Sequence, residues 1–135
     1  MKMIKIMTIA ILFSICGMVK GQTKAQIQPV LEQFCVDNYD DFFVPRQYVE
    51  GTLVVTSVDV DSINSKVRVR GTHTCRGQYI PLMGRMTYAG REFKAELMPA
   101  SNGTGIKVRF WRWRAPDYGQ NNGRWEGPCE RIVEP

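Results

Sequence analysis

Residues 106–114 read IKVRFWRWR, and in them apolar and cationic side chains alternate until the phase slips once. Ile106, Val108 and Phe110 occupy even positions, whereas Trp111 and Trp113 occupy odd ones. A strand points successive side chains to opposite faces, so regular pleating sends both indoles outward beside Lys107 and Arg109. One extra residue, inserted as a β-bulge at Phe110–Trp111, resets the faces. All five apolar side chains then point inward, and Lys107, Arg109, Arg112 and Arg114 form a row outside. Burying an indole is worth about 2–3 kcal/mol by area, and bulges are frequent where sheets curve or close, so the bulge is the expectation.

Outward from this stretch, the same period of two recurs. GTLVVTSVDV (residues 51–60) and KVRVRGTHTC (residues 66–75) are β-branched runs joined by the turn formers DSINS. GRMTYAGREFKAELM (residues 84–98) reads as a hairpin around Ala89–Gly90, with Phe93, Ala95 and Leu97 on one face and Glu92, Lys94 and Glu96 on the other. After the loop APDYGQNNGRWEGP, CERIVE is a short closing strand. Ahead of all these, Ile27, Val30, Leu31, Phe34 and Cys35 recur at helical spacing. Pro29 suits a first turn, and the acids after Val36 oppose the helix dipole, which predicts an end near Asn38. Val44–Pro45 marks an extended exit. The expected fold is α+β: one N-terminal helix on a strongly curved antiparallel sheet of about six strands, a barrel-like arrangement in which closure is left open by the sequence.

The chain opens with Lys2 and Lys5 ahead of an apolar run from Ile6 to Val19, and Val19 and Gly21 suit the small-residue positions before a cut at Gln22. This is the pattern of a secretory signal peptide. It divides the chain into a leader over residues 1–21 and a single domain over residues 22–135, exported to the periplasm or the extracellular space. The run is shorter than the ~20 residues that span a bilayer, and none later is long and apolar enough. Cys16 invites a lipid anchor, but bulky Ile15 precedes it where lipidation wants a small residue, so the anchor is the weaker reading.

Loss of Lys2, Lys5 and Lys20 with the leader lowers the formal charge from +5 to +2. The remainder is uneven: residues 22–61 hold two bases against seven acids, and residues 62–135 hold thirteen against six. Such an asymmetry steers an anionic partner or is satisfied internally between the two halves, and the second is the simpler outcome. Export argues against nucleic acid as the partner.

The candidate chemistry is sparse. His73 and Cys75 lie two apart and share a strand face, as a thiol nucleophile with its base or as a metal pair would. His73 is the only histidine, and no second ligand cluster of structural-zinc type accompanies it. DVDSIN (residues 59–64) lacks the glycine and the closing glutamate of a calcium loop and reads as a turn. Asp40 and Asp41 read as a solvated helix end. Cys35, Cys75 and Cys129 remain after the leader, and a Cys75–Cys129 disulfide is expected, with Cys35 buried on the helix stripe. Nothing in the pattern calls for a cofactor or a metal.

Abundant arginine and aromatic side chains without a convergent catalytic set point to a non-catalytic binding module of the cell envelope. It would recognise a protein or glycan through Arg109, Trp111, Arg112, Trp113 and Arg114 and through a loop carrying Tyr118 and Trp125. A small inhibitor or immunity-type protein that blocks an enzyme is the alternative, and an enzyme using His73 and Cys75 comes last.

Overall fold

The computed structural model describes residues 20–101, 105–115 and 122–133, with side chains from Thr23 onward. The expected leader (but for the backbone of its last two residues), Cys16 and Tyr118 lie outside them. Helix α1 (Lys20–Phe42) is followed by β1 (Gln47–Tyr48), β2 (Val54–Asp61), β3 (Lys66–Ile80), β4 (Gly84–Pro99), β5 (Ile106–Arg114) and β6 (Arg124–Val133). Every strand pairing is antiparallel. The sheet order is β1-β3-β4-β5-β6, and β2 lies end to end with β1 along the same edge of β3. The sheet curls into a half-barrel. It stays open between β1/β2 and β6, and α1 packs against all three of those strands. The fold is the expected α+β arrangement, with a helix where a full barrel would have closed.

The helix stripe is as read, Ile27, Val30, Leu31, Phe34 and Cys35 all being buried. Its ends are not. The helix begins well ahead of Pro29, which therefore lies inside it and has no N–H to offer the exposed Ala25. It also runs past Asn38 to Phe42. Tyr39 continues the stripe one turn beyond Cys35, and Phe43 follows at the helix end; both are buried. Burying such side chains is worth about 2–3 kcal/mol each, against a helix-dipole penalty of about 0.3–1 kcal/mol per misplaced acid. One of those acids is also put to use, since Asp40 accepts the Tyr48 N–H at 2.8 Å. Glu32 accepts the Tyr48 hydroxyl and the Gly51 N–H, and Gln28 accepts the Val55 N–H, so the helix clamps the chain entering the sheet. Val44–Pro45 is a turn, closed by Arg46 N–H on the Phe43 carbonyl, where an extended exit is expected.

The strand interiors follow the alternation. Val67, Val69, His73 and Cys75 from β3 meet Phe93, Ala95 and Leu97 from β4, then Ile106, Val108 and Phe110 from β5 and Cys129 from β6. DSINS turns the chain as expected, with Asp61 accepting from the Asn64 backbone and side-chain amides. The hairpin expected around Ala89–Gly90 is not formed. β4 runs straight through that pair, where an irregularity between the His73–Arg91 and Cys75–Tyr88 pairs inserts one residue, and Gly90 takes a φ of 64°. The hairpin tip lies instead between Ile80 and Gly84, and Cys75 is therefore in mid-strand.

The bulge expected at Phe110–Trp111 is on the other strand. β5 pairs with β4 without a break from Phe93–Arg112 to Pro99–Ile106. The shift falls between β5 and β6, where Trp111 faces both Gly127 and Pro128. Proline has no N–H for the ladder, and Gly127 has a φ of 131° in a place where a Cβ would meet the Phe110 carbonyl oxygen at 2.7 Å. The extra residue is accommodated there, and β5 keeps its pleat. Arg112 consequently points inward and is 4% exposed, while Trp111 and Trp113 point outward. The expected outer row of four cations and the expected inward pair of indoles are both overturned.

Candidate functional site

With β5 regular, its indoles join a set on the outer face. Trp113 lies opposite Trp125 of β6 and meets it edge to face, ring centroids 5.3 Å apart. Lys94 of β4 lies opposite Trp111, and its Nζ stands 5.1 Å from the Trp111 ring and 4.8 Å from the Trp125 ring. Arg70 of β3 reaches the other side of the set, 5.1 Å from the Trp125 ring. All three indoles are half-buried. Lys94 makes no ion pair among the described residues. A groove of about 450 Å3 runs beside Trp111 and Lys94, with Arg68, Arg70, Ser57 and Asp59 on its walls. Trp125 belongs to a strand, whereas the sequence places it on a loop.

The remaining cations of the outer face are largely spoken for. Arg109 pairs with Glu130 at 2.6 Å and Glu96 at 3.9 Å, Arg68 with Asp61 and Glu96, and Arg70 with Glu92. Arg114 and Arg124 both face Glu126. Opposite charges on neighbouring strands thus form a lattice of pairs, each worth about 0–1 kcal/mol. Hydrogen bonds from Arg109 to Glu130, and from Asn64 to Asp61, hold those exposed carboxyls below their usual range. Among the proposed contact residues, Arg109 and Arg114 therefore belong to the lattice and Arg112 to the interior.

The interior holds a hydrogen-bonded chain drawn from five elements. His73 Nδ1 lies 2.9 Å from the Arg91 carbonyl, so it carries the proton and donates. Nε2 is then the acceptor for the Tyr39 hydroxyl at 2.7 Å. Tyr39 also meets the Cys75 thiol, and Arg112 Nη1 approaches the Cys75 sulfur at 3.7 Å. Arg112 Nε donates to Glu126 at 2.9 Å. A cavity of about 310 Å3 ends on Arg112, with Arg46, Arg114 and Glu126 on its walls. Burial holds the His73 imidazole down to about 4, with the Arg112 and Arg91 charges adding to the effect. Burial likewise drives the Tyr39 phenol and the Cys35 thiol upward.

His73 and Cys75 thus share the inward face as read, but both imidazole nitrogens are engaged elsewhere and Tyr39 stands at the thiol. Among the described residues no three His, Cys, Asp or Glu side chains converge as a metal site. The three described cysteines are free and buried, and the Cys75–Cys129 disulfide is not formed. Cys75 on β3 and Cys129 on β6 are not neighbours in the sheet, since β4 and β5 lie between their strands. Tyr39, Arg70 and Lys94 are the participants that sequence reasoning missed. Tyr39 was findable from its place one turn beyond Cys35 on the helix stripe; for Arg70 and Lys94 the strand alternation showed only that they face outward.

The inward Arg112 sets up a contrast in stability. Glu126→Ala removes the carboxylate that accepts from the buried Arg112 Nε; a loss of about 2 kcal/mol is expected. Arg112→Met replaces the buried charge with apolar volume and is expected within about 1 kcal/mol of wild type. Urea denaturation of both variants measures this, and equal losses would show that the pair does not anchor the β5–β6 edge.

No family model matches the chain, nor does any curated protein, nor any solved structure.

Proposed function

We propose that the chain is an exported, non-catalytic binding module of the cell envelope that takes a protein or glycan ligand on the tryptophan–lysine face of β4, β5 and β6. The observation that carries the reading is the outward placement of Trp111, Trp113 and Trp125 around Lys94. Indoles that could have filled the interior stand on the solvent side instead, Trp113 and Trp125 held edge to face, beside an ammonium with no ion pair among the described residues. Rigid aromatic surface of this kind, with little side-chain entropy left to lose, is what dominates binding interfaces. The Lys2, Lys5 and apolar leader pattern supports export. The engagement of both His73 nitrogens supports a role without catalysis.

The test is a ligand titration against immobilised envelope glycan and envelope protein fractions. Trp111→Ala combined with Trp125→Ala should weaken binding about 30-fold or more, from about 2 kcal/mol for a central interface indole. Circular dichroism should stay that of the wild type, because neither side chain lies in the core. Undiminished affinity in the double variant rejects this face as the site.

A further inference from the structure

Beyond the body of the sheet, β3 and β4 continue as a two-stranded arm. β1 pairs with β3 no further than Arg76, and β5 meets β4 only from Phe93 onward, whereas β3 and β4 stay paired out to Ile80 and Gly84. The arm is apolar where it is most exposed. Tyr79, Ile80, Leu82, Met83 and Met86 all face solvent, Leu82 completely and Met83 at 80%. Pro81 and Leu82 are the central residues of the tip turn, closed by Met83 N–H on the Ile80 carbonyl at 3.0 Å. Leu82 has a φ of 68°. That position in such a turn ordinarily takes glycine or asparagine. A leucine is held there against its backbone preference, with its side chain wholly in solvent.

The charge around the arm is of one sign. No Asp or Glu occurs between Asp61 and Glu92. Arg76 and Arg85 lie on the arm, and Arg46 and Arg91 flank Tyr88 at its base, 4.6 Å and 5.2 Å from the ring. None of these four makes an ion pair with a described residue, although most other arginines of the sheet do.

We infer that this arm docks the protein on an anionic lipid bilayer, its tip entering between the headgroups and its arginines meeting the phosphates. A thin ribbon that is apolar at its end and along its sides fits a medium able to close around it. Arg85 is the second residue of β4, opposite Tyr79 and directly behind the turn of residues 81–83, so an apolar tip sunk to the roughly 5–10 Å of interfacial segments leaves its guanidinium at headgroup level. Arginine without acidic neighbours is the complement of a negative leaflet. The arm shares no residue with the tryptophan–lysine face, so this inference stands independently of that site.

Hydrogen exchange on the full chain tests it locally, so that any lipid contact of the apolar N-terminal run does not enter the readout. Vesicles of equimolar phosphatidylcholine and phosphatidylglycerol should slow exchange at the amides of residues 79–86 by about tenfold. Phosphatidylcholine alone should do so much less, and added salt should weaken the effect. Leu82→Asp with Met83→Asp, both fully or largely exposed and so without cost to the core, should abolish it. Absence of protection with the anionic vesicles overturns the inference, as does protection that persists in the double variant. Protection that appears instead with rising protein concentration and no lipid also overturns it, in favour of a second copy as the occupant.

Discussion

Phe110→Ala is expected to lower the unfolding free energy by about 3–5 kcal/mol, the cost of truncating a fully buried aromatic ring. Phe110 is wholly buried at the centre of the half-barrel. Its ring stacks on Phe93 at 5.2 Å and 15°, and it meets Phe34, Tyr39, Phe43 and His73 at 6.0–6.2 Å. It therefore joins the helix and the residue after it to β3 and β4 across β5, and the void left by alanine is walled by rings from α1, β3 and β4, which collapse poorly. Phe42, one residue from Phe43 in sequence but exposed, provides the comparison, and its truncation should cost less than about 1 kcal/mol. Urea midpoints at unchanged slope measure both. A Phe110→Ala protein within 1 kcal/mol of wild type would mean that the interior is not organised around this ring.

Acid should destabilise the fold through His73, well above the pH at which carboxylates titrate. Burial holds the folded-state imidazole down to about 4, against 6.5 for the free side chain. Between these values the unfolded chain takes up a proton that the folded chain refuses, so stability falls as the pH drops from 6.5 towards 4. The stabilisation is complete above pH 6.5 and amounts to on the order of 3 kcal/mol over the window. Most groups around the ring act in the same direction. Tyr39 from α1 donates to Nε2, while Arg112 from β5 and Arg91 from β4 bring positive charge towards it. The Arg91 carbonyl opposes the shift by accepting from Nδ1, and is outweighed. Because His73 is the only histidine, its proton resonance titrates alone. A midpoint near 4, and a loss of stability between pH 6.5 and 4.5 that His73→Gln flattens, are the expected results. A midpoint near 6.5 would show that water reaches the ring. Asp61 and Glu130, whose carboxyls hydrogen bonds hold low, add their own loss only below about pH 4.5.

These two expectations involve the same buried cluster, which also bears on the tryptophan face. Arg112 is inside because β5 keeps its pleat, and Trp111 and Trp113 are outside for the same reason. Fold and candidate site are therefore one decision at one strand. In the sequence, apolar area, which favours buried indoles, and the frequency of bulges where sheets curve together placed the extra residue in β5. Area was the wrong measure, since a guanidinium can be buried when it is paired, and Glu126 accepts from Arg112 Nε while Cys75 lies at its Nη1. Neither partner is near Arg112 in sequence.

The same limit explains the misplaced hairpin. Ala89–Gly90 carries a turn signal, but glycine with positive φ serves a bulge as readily as a turn. Only the partner strand distinguishes them, by running alongside to Ile80. The helix end was missed for a related reason: the dipole penalty on Asp37, Asp40 and Asp41 is visible in the sequence, whereas the burial of Tyr39 and Phe43 that outweighs it depends on rings supplied by β3 and β5.

Taken by itself, the sequence determined the periodicities: a helical stripe from Ile27 to Cys35 and period-two strands at Val67–Val69, Phe93–Leu97 and Ile106–Phe110, hence one helix on a curled antiparallel sheet. Those patterns are local, because the pleat and the helical turn repeat within a few residues. Which way the second half of β5 faces, where the hairpin turns, and whether three cysteines pair were decided only in three dimensions. Each depends on the free energy of a contact between segments far apart in the chain, and no spacing along one strand encodes that.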